Sequence, residues 1–112
     1  MGINAFTALG KTVKLTAAST APTPVQVPST TLGGNQYRVI NLSSNTACFL
    51  AYAQTSADAA TNCVIPTAGN SETVLPLLPQ TDEILSFVPN VYFTAITSSG
   101  TADLYITPGD GL

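Results

Sequence analysis

Histidine is absent from this chain of 112 residues, which removes the side chain on which most catalytic and metal sites depend. Without histidine there is no Ser–His or Cys–His pair, the commonest general base is missing, and few ways to bind zinc remain. The groups left for chemistry are two cysteines, six acids and three cations, set among many serines and threonines. Their spacing decides whether any of them form a site.

The acids and cations do not stand in a pattern that a reaction needs. Asp82 and Glu83 are the only adjacent acids, and neighbours in a strand point to opposite faces, so they do not cooperate as acid and base. Lys11 and Lys14 lie among hydroxyl side chains, but no motif positions a nucleophile beside them. We therefore predict that the chain is not an enzyme.

Glycine-rich segments give no cofactor site either. The segments GG (33–34) and PGDG (108–111) lack the lysine and the strand–loop–helix setting of a phosphate-binding loop, and we interpret both as turns. PGDG also has a single acid, whereas a calcium loop gathers several. The sequence predicts no cofactor and no bound metal.

Charge excludes two classes of partner. The net charge is −3 and only three cations are present, too few to neutralise a phosphate backbone or an anionic membrane surface. No apolar run approaches the ~18 residues of a membrane span, and the first residues lack the basic start of a secretory signal. We expect neither a nucleic-acid nor a membrane partner.

The low content of charged residues indicates what the protein surface contacts. Charged residues make up 8% of the chain and hydrophobic residues 45%, whereas globular domains average about 25% charged residues. Because interface cores are depleted of charge, we predict that much of the surface contacts other protein. The alternative is a monomer with a neutral, hydroxyl-rich surface.

The elements that would position these residues are strands. Short β-branched and aromatic runs alternate with Gly, Pro, Asn and Ser clusters at a spacing typical of β-sandwiches. The runs are TVKLT (12–16), PVQVP (24–28), QYRVINL (36–42), ACFLAYA (47–53), NCVIP (62–66), ETVLPLL (72–78), EILSFV (83–88), VYFTAIT (91–97) and ADLYIT (102–107). We predict an all-β, single-domain β-sandwich or jelly roll of about eight to nine short strands, over residues 11–112.

Four local features make this prediction specific. ACFLAYA is apolar on both faces and predicts a central strand, whereas the prolines around PVQVP favour an edge. QTSADAAT (54–61) is Ala-rich and predicts a helical turn. The SSG between VYFTAIT and ADLYIT predicts a β-hairpin.

Residues 1–10 are a candidate N-terminal arm. Ile3, Phe6 and Leu9 recur at helix-like spacing before the first clear strand. Either they pack as a first strand or helical turn on the chain's own core, or they dock onto a neighbouring protein. In the second case these three side chains are the candidate partner contacts.

Three stretches together resemble one group of proteins. They are FLAYAQTSADAATN (49–62), LLPQTDEILSF (77–87) and YFTAITSSGTADLYITPGDGL (92–112), and the likeness covers residues 36–112 best. In these stretches the chain resembles small virion proteins of tailed bacteriophages, of the capsid decoration or cement type. The resemblance implies a β-sandwich or jelly roll on the outer face of the head, assembled in the host bacterial cytoplasm.

The same resemblance implies the partners. They are the major capsid protein, whose neighbouring subunits the chain would clamp, and further copies of itself in a homodimer or homotrimer. Two alternatives remain: another virion part, such as a head–tail or tail accessory protein, and a β-sandwich carbohydrate-binding module. A carbohydrate-binding site could use the aromatic side chains of Tyr37, Tyr52, Tyr92 and Tyr105.

Cys48 and Cys63 stand fifteen positions apart, across one predicted loop. A turn centred near Ala57 places Cys63 opposite Ala51, whereas a centre at residues 55–56 pairs the two cysteines directly. Because thiols stay reduced in a bacterial cytoplasm, we predict two free, buried thiols that pack as small apolar residues. A disulfide, and a redox or metal role, remain open.

Overall fold

The fold consists of nine strands and one short helix in the part of the chain that the structure describes. It was obtained as a computed structural model, which describes residues 7–8, 10–27, 36–87 and 90–110. The elements are β1 (Thr7–Ala8), β2 (Val13–Ala17), β3 (Val25–Gln26), β4 (Gln36–Asn41), β5 (Cys48–Ala53), α1 (Ser56–Asn62), β6 (Val74–Leu77), β7 (Thr81–Ser86), β8 (Tyr92–Ile96) and β9 (Ala102–Asp110).

These strands form two antiparallel sheets whose order identifies the architecture. The five-stranded sheet runs β2–β9–β4–β7, with β1 also paired to β9, and the four-stranded sheet runs β3–β8–β5–β6. From β2 to β9 every connection passes to the other sheet except β5–β6, which carries α1. Two four-strand sets with this crossing order make a jelly roll. The predicted all-β sandwich is confirmed, and the strand order selects the jelly roll.

The core lies between the sheets because each strand alternates. On β4, Tyr37, Val39 and Asn41 are buried while Arg38 is exposed, as the two-residue period of a strand requires. Aromatic rings fill one half of the core: Phe93 lies 5.3 Å from both Tyr37 and Phe87, in edge-to-face arrangements. Such pairs stabilise beyond the area they bury.

The helix α1 packs on the outside of the four-stranded sheet. Thr55 is its N-cap, because its hydroxyl accepts a hydrogen bond from the Asp58 backbone N–H at 3.1 Å. Ala59 is fully buried, and at the other end the Asn62 amide donates to the Tyr52 carbonyl at 3.2 Å. The predicted helical turn is confirmed. Packing against the four-stranded sheet stabilises this helix, which is too short to be stable in isolation.

Predicted strand positions are mostly confirmed. β5 lies between β8 and β6, as its two apolar faces indicated, and β3 lies at a sheet edge. Ile3, Phe6 and Leu9 lie outside the described residues. Within the candidate arm, Thr7–Ala8 forms β1 and pairs with Asp110 and Gly109.

Three sequence predictions are wrong. The SSG segment joins two sheets instead of closing a hairpin, since β8 and β9 lie in different sheets. Residues 62–66 are no strand, because Asn62 still belongs to α1 and the chain then continues outside both sheets. Residues 108–110 belong to β9 instead of a turn, with Pro108 opposite Tyr37. Alternation identifies a strand and its buried face, but it does not identify the partner strand.

Replacing Phe93 tests the role of the aromatic core. Phe93→Ala leaves a cavity between the sheets, and we expect it to lower the free energy of unfolding by about 3–5 kcal/mol. Urea unfolding followed by circular dichroism measures this. Leu78→Ala is the control, because Leu78 is 65% exposed and surface changes stay within about 0.5 kcal/mol. Equal losses in both variants would contradict the core assignment.

Candidate functional site

Four connecting segments meet at one end of the jelly roll, which we call the loop end. They are residues 18–24, 42–47, 78–80 and 97–101, which follow β2, β4, β6 and β8. Loops held on a rigid sandwich are the usual place for binding sites. The polar side chains that hold these loops are therefore the first to consider.

Asn41 ties the loop 42–47 to the end of β6, although it is fully buried. Its Nδ2 donates to the Thr46 carbonyl at 3.1 Å and to the Leu77 carbonyl at 3.3 Å, and its Oδ1 accepts from the Ser43 backbone N–H at 3.0 Å. A buried amide is costly unless it is bonded. Asn41 meets this requirement with the backbone of its own loop and of β6 in the opposite sheet.

Thr97 plays the matching role on the other side of the loop end. It is 1% exposed, its hydroxyl donates to the Gly100 carbonyl at 2.8 Å, and its N–H donates to the Ala18 carbonyl at 2.9 Å. Gly100 has φ +75°, a conformation that glycine adopts without strain. A Cβ placed on Gly100 would lie 3.5 Å from the Thr46 hydroxyl, so the two loops are close neighbours.

A cavity of about 420 Å³ lies between these two loops. We call it the loop-end cavity, and its lining residues are Asn45, Thr46, Ala47, Phe49, Ser98, Ser99 and Gly100. The lining contains no charged side chain. Hydroxyls, an amide and one aromatic ring make it suited to a neutral, partly polar ligand.

A second cavity, of about 390 Å³, lies at the opposite end of the sandwich. Tyr52, Ala53, Gln54, Phe87 and Val91 line it, and the Tyr52 and Phe87 ring centroids are 4.7 Å apart. Its surface is almost wholly apolar, so it offers little to orient a polar ligand.

The outer face of the five-stranded sheet is a third feature, which we call the sheet face. The side chains of Arg38 and Asp82 are diagonal neighbours on the paired strands β4 and β7 and form an ion pair, with Nε 3.0 Å from both carboxylate oxygens. Lys14 Nζ lies 3.9 Å from Asp103 Oδ2, and the Thr16 hydroxyl donates to the other carboxylate oxygen, Oδ1, at 2.9 Å. The Arg38 guanidinium lowers the pKa of Asp82, so this pair stays charged at neutral pH.

Aliphatic side chains lie among these ion pairs. Ile84 is 51% exposed and is the register partner of Arg38, while Leu42 is 61% exposed and continues the same face of β4 beyond its end. Ile40 lies between them and is half-buried beside Tyr105. The sheet face therefore combines exposed apolar groups with two balanced ion pairs.

The two cysteines are free and buried, as predicted. Cys48 belongs to the core between the sheets, with its sulfur 3.8 Å from Asn41 Nδ2. Cys63 lies on the opposite side of the four-stranded sheet, beside Thr94. Burial raises the pKa of Cys48 to about 12 and also raises that of Cys63.

The structure does not gather the aromatic side chains considered for sugar binding. Tyr37 is fully buried in the core, Tyr52 lines the second cavity, and Tyr105 lies on the sheet face beneath Lys14. Tyr92 pairs with Ala53 in the other sheet. Phe49 is the aromatic residue at the loop-end cavity, and its place inside an apolar strand gave no sequence signal of this role.

Within the described ranges, acids and cysteines do not cluster as a metal site would require. The only helix described there, α1, has seven residues, and no described helix could cross a membrane. A scan against protein-family models, a search of curated proteins and a search of solved structures each found no match.

Replacing Asn41 tests how the loop end is held. Asn41→Ala removes three hydrogen bonds from a buried site, and we expect a loss of about 1–3 kcal/mol in the free energy of unfolding, with faster amide exchange at Ser43, whose N–H donates to Asn41 Oδ1. Asn45→Ala is the matched control, since Asn45 is exposed. Unchanged exchange at Ser43 in Asn41→Ala would show that the loop does not depend on the Asn41 side chain.

Thiol titration tests the placement of the cysteines. The thiolate is the reactive form, so a pKa raised by burial slows the reaction, most of all for Cys48. At about pH 8 we expect slow modification in the folded protein, with Cys63 ahead of Cys48, and rapid modification of both in denaturant. Absence of free thiols in the denatured, unreduced protein would contradict the structure.

Proposed function

We propose that this chain is a structural protein of a bacteriophage head, of the decoration type, which acts by binding and not by catalysis. Its partner in this proposal is the major capsid protein. The chain binds the outer surface of the shell and stabilises it by holding neighbouring capsid subunits together.

The observation that carries the proposal is the sheet face. Leu42 and Ile84 expose more than half of their surface there, at 61% and 51%. Exposed aliphatic groups contribute to association when a partner removes them from water. Arg38 and Tyr105, residue types enriched in interfaces, lie beside them.

The charges on the same face favour a specific orientation over strong non-specific attraction. Lys14 pairs with Asp103 and Arg38 with Asp82, so the two cations and two acids of these pairs balance. Polar groups that already satisfy each other are less costly to cover than unpaired charges. The polar atoms of these ion pairs that face solvent supply complementary contacts, which fix the register of a partner.

Two further points support a shell-binding role. The resemblance to phage decoration proteins covers residues 36–112, which include both strands of the Arg38–Asp82 pair. Viral capsid proteins use the jelly roll, although lectins and cupins do too, so the fold alone does not choose. Many modest contacts repeated over a shell add up through avidity, and this requires no reactive group.

An aspartate at Ile84 tests the sheet face directly. Ile84→Asp places an extra charge in the proposed interface, and we expect at least about a tenfold loss of binding to empty heads. Val64→Asp is the matched control, since Val64 is 44% exposed but lies in the segment after α1. Co-sedimentation with heads of the phage that encodes the chain measures both, after circular dichroism confirms folding.

The outcomes separate the alternatives. Equal binding of the two variants would exclude the sheet face as the interface. Absence of the chain from purified virions, or unchanged resistance of heads to heat and osmotic shock after its deletion, would refute the decoration role. Quantitative mass spectrometry of virions distinguishes a decoration protein, with a copy number comparable to that of the capsid protein, from a tail part present in a few copies.

A further inference from the structure

The loop-end cavity shares no lining residue with the proposed sheet face. Its volume of about 420 Å³ lies in the range of small-molecule sites. Every residue that lines it belongs to the described part of the chain, and none is charged. The lining therefore selects against ions, which would find no opposite charge there to replace their hydration.

The lining combines hydrogen-bonding side chains with one aromatic ring. Ser98 and Ser99 are exposed, and each hydroxyl can donate and accept a hydrogen bond. Asn45 accepts from the Thr46 hydroxyl through its Oδ1 at 3.2 Å, which leaves its amide N–H groups to donate. Phe49 adds an aromatic ring that is half-buried, on a strand between β8 and β6.

A pyranose sugar presents the complementary groups. Its hydroxyls lie around the ring edge and can donate and accept, while its faces carry C–H groups that pack on the negative face of an aromatic ring. A purely apolar ligand would leave the serine hydroxyls and the amide without partners, which costs affinity. We propose that the loop-end cavity binds a neutral hexopyranose residue of a glycan, with Phe49 as its platform.

The way the cavity is built supports a ligand role. Two buried polar side chains hold the two loops that form its walls. Asn41, which is 0% exposed, donates to the Thr46 carbonyl, and Thr97, which is 1% exposed, donates to the Gly100 carbonyl. Because the loops are already ordered, less conformational entropy is lost when a ligand binds between them. Thr46 and Gly100 are also close enough to limit independent movement of the walls.

A titration of the whole chain followed by amide NMR tests the site. The probes are methyl glycosides of glucose, galactose, mannose and N-acetylglucosamine, at up to about 10 mM to detect a millimolar Kd, together with an array of neutral oligosaccharides. We expect saturable shifts at residues 45–47, 49 and 98–100. The Ser98→Ala/Ser99→Ala double variant should weaken binding about tenfold, and Phe49→Leu should weaken it while keeping an apolar side chain.

Ser71→Ala is the matched control, because Ser71 is exposed in the β5–β6 connection, away from the cavity. Should Phe49→Leu fail to fold, the serine variant still decides. The proposal is overturned by silence of all neutral probes, by shifts elsewhere on the chain, or by equal binding of the double serine variant and the control. None of these readouts involves phage particles, so the shell-binding proposal stands or fails separately.

Discussion

Asn41 is the polar contact on which the loop end of this jelly roll depends. It sits on the core face of β4, and its amide reaches the backbone of β6 in the opposite sheet as well as its own loop. A polar group in a dry core is tolerated only when its bonds are made, so the sheets and the loop are held in one relative position. Thr97 fixes the neighbouring loop in the same manner.

The rest of the core is apolar and divides into two layers. The main layer, with Phe93, Tyr37 and Cys48, lies between the sheets. A thin second layer lies beneath α1, where Ala51, Ala59 and Thr94 are fully buried and Cys63 nearly so. Small side chains allow the short helix to approach the sheet closely. This arrangement explains why β5 is apolar on both faces and why the two thiols cannot meet.

Charge is distributed unevenly between the two sheets. The strands of the four-stranded sheet contain no charged residue, whereas Lys14, Arg38, Asp82 and Asp103 all lie on strands of the five-stranded sheet. Among the described strands, only the five-stranded sheet offers exposed aliphatic side chains together with ion pairs, a combination typical of a recognition surface. The lining of the loop-end cavity has no charged side chain, so the two proposed binding surfaces differ in their chemistry.

The sequence by itself indicated the strands β2 to β9 and the helical turn, because these follow from local alternation and local composition. The apolar faces of ACFLAYA indicated a central strand without revealing its neighbours. Only the tertiary structure decided that β8 and β9 belong to different sheets, that Cys48 and Cys63 lie on opposite sides of one, and that Phe49 meets Ser98 at a cavity. These depend on pairings between distant segments, and a two-residue period carries no information about which segments pair.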